Sequence, residues 1–252
     1  MATDALQVSV CYCVYNEEGN IADCIRDAQN NLPSIIGSTN YEIIVIDNAS
    51  TDLTPQVVEE IAKSDSTIRL IRHPENRFYS GSHVTALSSA VGRYIAIIDG
   101  DNQHTTKDIK KAIELFEHGS CDVVFGWKQY RKGSWVRKVF SVCLRFVSQL
   151  LIGHPLHDIN CGYRVLKLSA ARQIRIKEKI NTVGPEIYCE CKRLGLKVGE
   201  IVVQHFPRTQ GKGMHDSLMP LIQNSLMFVF YLFRLRKRYH IGSSFESVRE
   251  AS

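Results

Sequence analysis

The feature that most constrains this chain is an alternation. Short apolar runs, each long enough for one strand, are followed by stretches of helical character through the whole first half. Residues 8–14 form such a run, and 16–32 after them read as a helix with Glu17 and Glu18 in its first turn. Residues 41–46 precede a helical segment over 51–63, with Pro55 near its start. Residues 68–71 precede a small-residue helix over 82–91, which Gly92 ends. Residues 94–98 precede a helix over 106–117, and 122–125 form a fifth run. Repeated βα units cannot close as hairpins. They require crossovers, hence an α/β fold with a mostly parallel sheet flanked by helices. In such sheets ligands bind beyond the carboxyl ends of the strands.

The second half is less regular. A basic, aromatic stretch over 128–145 leads into a helix ending near Ile152. Residues 185–194 read as a helix and 197–205 as a strand. Residues 218–233 are strongly apolar and end in the basic run Arg234 to Arg238. With 252 residues, 44% of them hydrophobic, the chain can bury one large core. The net charge of +5 does not argue for a nucleic-acid partner, because Lys and Arg are dispersed until the tail. The eight Cys include no C-x-x-C pair and read as reduced, buried residues of a cytosolic protein. The first residues show no basic segment followed by an apolar one, so no signal peptide is expected.

Three acidic or amide-rich turns fall directly after predicted strands. These are Tyr15-Asn16-Glu17, Asp47-Asn48-Ala49-Ser50 and Asp99-Gly100-Asp101-Asn102-Gln103. One such turn is explained by capping alone. Three on one sheet edge place several carboxylates in one cleft, where they repel unless a cation or a basic side chain is present. A hard divalent ion with oxygen ligands resolves that repulsion. Gly100 is expected to let the backbone turn between Asp99 and Asp101.

These turns, with Asp158-Ile-Asn-Cys-Gly-Tyr-Arg164 and Arg208-Thr-Gln-Gly-Lys-Gly213, resemble family 2 glycosyltransferases. Within that family the chain is most similar to the dolichyl-phosphate mannose synthase and polyprenyl-phosphate glycosyltransferase group. The resemblance implies a GT-A, Rossmann-like domain over residues 1–213 and an apolar, basic, amphipathic helical tail over 214–252. It also implies an inverting transfer from a nucleotide-sugar, of GDP-mannose or UDP-glucose type, with Mg²⁺ or Mn²⁺.

The implied roles follow residue by residue. Tyr15 and Glu17, with Cys13 beside them, would line the nucleoside pocket, and Asp47 would contact base or ribose. Asp99, Asp101 and Gln103 would hold the metal and through it the diphosphate. Lys128, Arg137 and Arg208 would grip phosphates, and Asp158 and Arg164 would face the acceptor. Asp101, Asp158 and Arg137 would then be the catalytic set. The chain departs from the family pattern at Cys13, at Asn48, where a second Asp is frequent, at Gly213, and at bulky Phe78 and Tyr79, where glycine-rich sequence is usual.

Three readings of function stay open on these residues. The acceptor is a polyprenyl or dolichyl phosphate, positioned by Lys128, Arg131, Lys132, Arg137 and Lys138. Alternatively it is a hydroxyl of a glycan, glycolipid or protein, with Asp158 as base. The third is a non-catalytic nucleotide-sugar-binding scaffold. The tail is shorter than the ~20 residues of a spanning helix. It suits an interfacial helix on the cytoplasmic face of a membrane, where its basic end meets anionic lipid. The same apolar stretch would also serve a core contact or a homo-oligomer.

Overall fold

A computed structural model describes residues 6–37, 39–129, 135–208 and 218–241, with the side chains of 135–140 and 218–222 left out. The first half follows the expected alternation. Strand β1 is Val8–Val14, helix α1 Ile21–Ile36, β2 Tyr41–Asp47, α2 Thr54–Ala62, β3 Ile68–Arg72, α3 Phe78–Ser89 and β4 Tyr94–Asp99. A 3₁₀ turn over Thr106–Asp108 leads into α4, Ile109–Glu117, and then β5, Val123–Trp127. The second half supplies α5 Trp135–Ile152, β6 Tyr163–Lys167, α6 Leu168–Ala171, α7 Gly184–Leu194, β7 Val198–Val202 and α8 Leu218–Arg238.

The seven strands form one sheet in the order β3-β2-β1-β4-β6-β5-β7. All neighbours pair parallel except β6, which runs antiparallel to both β4 and β5. Side chains alternate across the sheet with the period of two that a strand imposes. Val8, Val10 and Tyr12 pack with α1, α2 and α4, against Ile25, Val58 and Phe116. Cys11 and Cys13 face the other way, into a core shared with Leu87, Leu151, Ile187 and Tyr231 of α3, α5, α7 and α8. Both faces of β1 are therefore buried, which is why its sequence reads as a continuous apolar run.

Several expectations change. Helix α1 starts at Ile21, not Asn16, because Asn16 is left-handed at φ 57° and breaks the helix before it begins. It also runs past Leu32, through Pro33 to Ile36. Helix α3 starts earlier and ends at Ser89 with Ala90 extended, so Gly92 does not terminate it. Strand β6 was not foreseen. Seven of the eight Cys are buried as expected, but Cys143 is exposed on α5.

Helix α8 belongs to the same core as the sheet. Phe228, Tyr231, Leu232 and Leu235 are buried. Its basic end is held by its own protein: Arg234 and Arg238 pair with Glu178 at 2.9 and 2.6 Å, and Arg238 with Glu186 at 3.1 Å. Its outer side exposes Leu226, Met227, Phe230 and Phe233. Among the described residues, no helix is long and apolar enough to cross a membrane.

Candidate active site

The carboxyl ends of β1, β2 and β4 lie side by side, because β1 is the strand that pairs with both others: Cys13 sits opposite Ile46 and Asp99, and Val14 opposite Asp47. Four non-glycine residues just beyond this edge adopt left-handed backbone: Asn16, Ala49, Phe78 and Asn102. For Ala49 and Phe78 that conformation is costly, and such strain concentrates where loops are shaped for a ligand.

The loops after β1 and β2 are braided. The backbone N–H of Asn16 donates to Ser50 Oγ at 2.9 Å, and the N–H of Thr51 donates back to Asn16 Oδ1 at 2.8 Å. Glu17 N–H donates to Thr54 Oγ1, and Leu53 N–H to Glu18 Oε2, both at 2.8 Å. Glu17 and Glu18 thus serve a loop junction rather than a first helical turn. Asp47 is fully buried; its Oδ1 accepts the Ser50 N–H at 3.0 Å, and its Oδ2 faces Arg72 at 3.5 Å. Beside it opens a cavity of about 540 Å³ lined by Ala49, Ser50, Arg72, His73 and Pro74. Tyr15 stands half-exposed at the same edge.

Asn48, where the family often has Asp, uses the full capacity of its amide. Its N–H₂ donates to Asn76 Oδ1 and to the Phe78 carbonyl, both at 3.1 Å. Its oxygen accepts the Arg77 N–H at 2.9 Å and meets His73 Nδ1 at 3.0 Å. A carboxylate donates nothing, so Asp here would leave two acceptors unmet. The departure is explained by the shape of the 73–78 loop.

At the end of β4 two carboxylates come together. Asp99 Oδ1 accepts the Tyr79 hydroxyl at 2.7 Å, and the Asp99 N–H donates to the Gly162 carbonyl at 3.1 Å. A Cβ on residue 162 would fall 1.7 Å from Asp99 Oδ2, so only glycine fits against this carboxylate. Burial, then the charge of Asp101, pushes the Asp99 carboxyl up to about 6. Burial also raises Asp101, against the pull of Arg208. The expectation for Gly100 needs correcting. Its φ is not positive, and the left-handed residue of this loop is Asn102. Glycine is needed at 100 because a Cβ would sit 2.3 Å from Val14 Cγ1.

The segment after β7 runs along this loop and delivers a distant basic residue. Phe206 N–H donates to the Gln103 carbonyl at 2.9 Å, and Gln103 Nε2 donates to the Phe206 carbonyl at 3.2 Å. His104 Nδ1 donates to the Gln204 carbonyl at 3.1 Å, and burial lowers its pKa to about 3, so it is a neutral strut. Arg208 then pairs with Glu17 and stands 3.8 Å from Asp101 Oδ2. Glu17 is raised by burial, opposed by Asn20 and Arg208.

The other wall carries Lys128 just past β5, 3.8 Å from Asp158 Oδ2. Glu200 organises this wall. It accepts the backbone N–H groups of His157 at 2.8 Å and Asp158 at 3.1 Å and pairs with the His157 ring at 2.7 Å. That ring stacks on Trp127 at 4.1 Å. Arg164 does not face open space. It is 1% exposed, within 3.3 Å of His83 Nε2 and of the Ile159 carbonyl. Glu186 is also turned inward, capping the N–H groups of Lys177 and Glu178. Arg131, Lys132 and Gly213 lie outside the described residues, as do the side chains of Arg137 and Lys138.

The structure therefore gathers Glu17, Asp99, Asp101, Gln103, Lys128, Asp158 and Arg208 together at the carboxyl edge of the sheet, with Asp47 and Tyr15 farther along that edge. Two adjacent carboxylates with raised proton affinity are the donor chemistry of a hard divalent cation. Among the described residues no set of three His, Cys, Asp or Glu closes a metal site with protein ligands alone. The pair fits an ion of the Mg²⁺ type, which is held by one or two carboxylates and completed by substrate phosphate.

Known proteins are similar to this chain in sequence and fold. The profile of the family described as glycosyl transferase family 2 matches residues 9–175. A dodecaprenyl-phosphate galacturonate synthase of Rhizobium johnstonii is 24% identical over 244 residues, covering 95% of this chain and 71% of that protein. A UDP-N-acetylglucosamine–dolichyl-phosphate N-acetylglucosaminyltransferase of Methanococcus voltae is 26% identical over 213 residues, covering 75% of this chain and 82% of its own. Glucosyl-3-phosphoglycerate synthase of Mycobacterium tuberculosis, solved with Mn²⁺, UDP-glucose and phosphoglyceric acid, superposes with a TM-score of 0.67 at 19% identity. That alignment covers 94% of this chain and 80% of the synthase. A mannosyltransferase of Pyrobaculum calidifontis, solved with GDP-Man and Mn²⁺, gives 0.58 at 16% identity over 94% of this chain and 74% of that one. The solved structures share the fold, the family profile spans more than half of the sequence, and the chain belongs to glycosyl transferase family 2 as a glycosyltransferase enzyme.

Proposed function

We propose that the chain transfers a sugar from a nucleoside-diphosphate donor to a polyprenyl-type lipid phosphate, with a divalent cation at Asp99 and Asp101. The observation that carries this is the paired carboxylates at the end of β4, with Arg208 and Lys128 beside them. The two polyprenyl- or dolichyl-phosphate enzymes among the relatives support the acceptor class.

The reaction is a displacement at the anomeric carbon. A bond forms from an acceptor phosphate oxygen to that carbon as the bond to the donor diphosphate breaks, and the nucleoside diphosphate leaves with the electron pair. A bound Mg²⁺ or Mn²⁺ supplies positive charge against that leaving group. Asp99, Asp101 and Gln103 are assigned to the cation, and Arg208 turns from Glu17 and Asp101 to the diphosphate oxygens. Tyr15 and Asp47 bracket the nucleoside beside the 540 Å³ cavity. Lys128, with Arg137, positions the acceptor phosphate. A phosphomonoester loses its second proton near pH ~6, so this acceptor arrives ionised and needs no protein base. Asp158 then orients Lys128 through their ion pair.

The outer apolar surface suits a lipid acceptor. Val142, Phe146 and Leu150 repeat along one face of α5 and are exposed, Phe146 at 63%. Phe230 of α8, which packs on α5, is 69% exposed. We assign these two helices to the membrane interface, as a peripheral contact.

A thermal-shift screen tests the donor half. A ligand at a hundred times its Kd adds about 2.7 kcal/mol, roughly 5–10 °C in Tm for a chain of this size. One nucleotide class, uridine or guanosine diphosphate, is expected to give such a shift with Mn²⁺ and to lose most of it under chelation. Equal shifts with and without metal would overturn the metal assignment.

A further inference from the structure

Tyr79 stands where the family's glycine-rich run is usual, and nothing in the family resemblance gives it a role. Its hydroxyl reaches Asp99 Oδ1 at 2.7 Å. The other oxygen, Oδ2, lies against Gly162, where even a methyl group has no room. The carboxylate is thus held at both oxygens, by an O–H donor on one side and by backbone contact on the other.

The tyrosine itself is fixed from several directions. Phe78 before it is left-handed, which turns the chain into α3. Asn48 fastens that turn through the Phe78 carbonyl at 3.1 Å. The Tyr79 ring lies 4.3 Å from the His83 ring, and His83 is itself held by Arg164 at 3.3 Å and by the Tyr79 carbonyl at 3.2 Å. Ser80 locks the start of α3 to the loop before α7: its N–H donates to the Ile180 carbonyl at 3.0 Å, and its Oγ accepts the Ile180 N–H at 3.1 Å. A flexible surface tyrosine would need none of this.

We propose that Tyr79 is a positioning residue of the cation site: its hydroxyl fixes the orientation in which the Asp99 carboxylate meets the metal beside Asp101. Outer hydrogen-bond partners of metal-ligating groups typically contribute 10–100-fold in metal affinity. This rests on the proposed function, because it presupposes that Asp99 holds a cation.

The test is a Mn²⁺ titration of wild type and Tyr79→Phe, in the presence of the uridine or guanosine diphosphate that binds. Free Mn²⁺ is read by electron paramagnetic resonance, and nucleotide binding is measured separately under chelation. Tyr79→Phe is expected to weaken Mn²⁺ by about tenfold or more while metal-free nucleotide binding stays within twofold. Equal loss in both measurements marks a merely structural role and overturns the proposal, as does Mn²⁺ affinity within twofold of wild type. Tyr79→Gln, which keeps a donor, is expected to lose less than Tyr79→Phe, and it decides the matter if the phenylalanine protein does not fold. A Gln variant as weak as Tyr79→Ala would then overturn it. Absence of metal-dependent nucleotide binding in wild type overturns the proposed function itself, and is distinguishable from failure of the Tyr79 variant alone.

Discussion

Replacing Asp101 with Asn is expected to lower turnover by about a thousandfold while leaving the metal-free fold at least as stable as wild type. The two effects have one origin. Asp101 is largely buried beside Asp99, and burial raises its proton affinity above that of a free carboxyl. A group whose folded pKa is raised contributes stability below its unfolded pKa and loses that contribution as pH rises through the folded value. At neutral pH the ionised Asp101 is therefore a cost to the fold, which the neutral amide removes. Asn also keeps an oxygen for the Gln103 N–H, which donates to Asp101 Oδ1 at 3.2 Å. What Asn lacks is the charge that binds a cation and, through it, stabilises the leaving diphosphate. Removing one preorganised electrostatic contact of this kind typically costs 10²–10³ in rate. Initial rates and thermal unfolding of the two proteins check this. A variant that keeps more than a tenth of wild-type turnover, or that unfolds several degrees lower without metal, contradicts the account.

Gly162→Ala is expected to be the most damaging single methyl in the site. The added Cβ would lie 1.7 Å from Asp99 Oδ2 and 2.9 Å from Oδ1. The carboxylate must move, yet Oδ1 is held by Tyr79, and the Asp99 N–H is tied to the Gly162 carbonyl itself. Overpacking of this kind costs about 1–3 kcal/mol. The displaced carboxylate also leaves its place beside Asp101. The variant should therefore lose metal-dependent nucleotide binding as well as about 2–10 °C of Tm. Calorimetric unfolding and nucleotide titration with Mn²⁺ measure the two losses, and retention of metal-dependent binding near wild-type affinity refutes the assigned geometry.

The sequence made half of this legible. The βα alternation carries the parallel sheet, because a buried parallel strand needs an apolar run and its crossover needs a helix. The positions of Asp47, Asp99 and Glu17 at one edge follow from that topology alone. The antiparallel β6 did not emerge, since Arg164 interrupts its apolar run and its neighbours in the sheet lie about seventy and forty residues away in the chain. The start of α1 was misplaced for a local reason. Acidic residues at a helix start and acidic residues clasping a neighbouring loop look alike until the left-handed Asn16 is seen. Arg208 was expected to bind phosphate, but the ladder between Gln103 and Phe206 that brings it there is a tertiary contact without a sequence signature. The roles of Tyr79 and Glu200 were missed. For Tyr79 a signal existed, a phenol replacing small residues beside a carboxylate loop; for Glu200 there was none.

Arg164, which the family resemblance would set facing the acceptor, is packed inside the protein at 1% exposure. Arg164 lies under the site with its ring contact to Phe125 at 5.5 Å. Its charge lowers the proton affinity of Asp99 from beneath, against the larger effect of burial. Its influence on the carboxylates is electrostatic and passes through the core.

The central claim is that Asp99 and Asp101 hold the cation through which a nucleotide-sugar delivers its sugar to a lipid phosphate. Incubating the protein with radiolabelled uridine- and guanosine-diphosphate sugars, Mn²⁺ and polyprenyl phosphate, then extracting into organic solvent, measures it directly. The account predicts that label from one donor enters the lipid phase and that a chelator stops it. Label absent from the lipid phase with every donor, or transfer that proceeds unchanged under chelation, would contradict it.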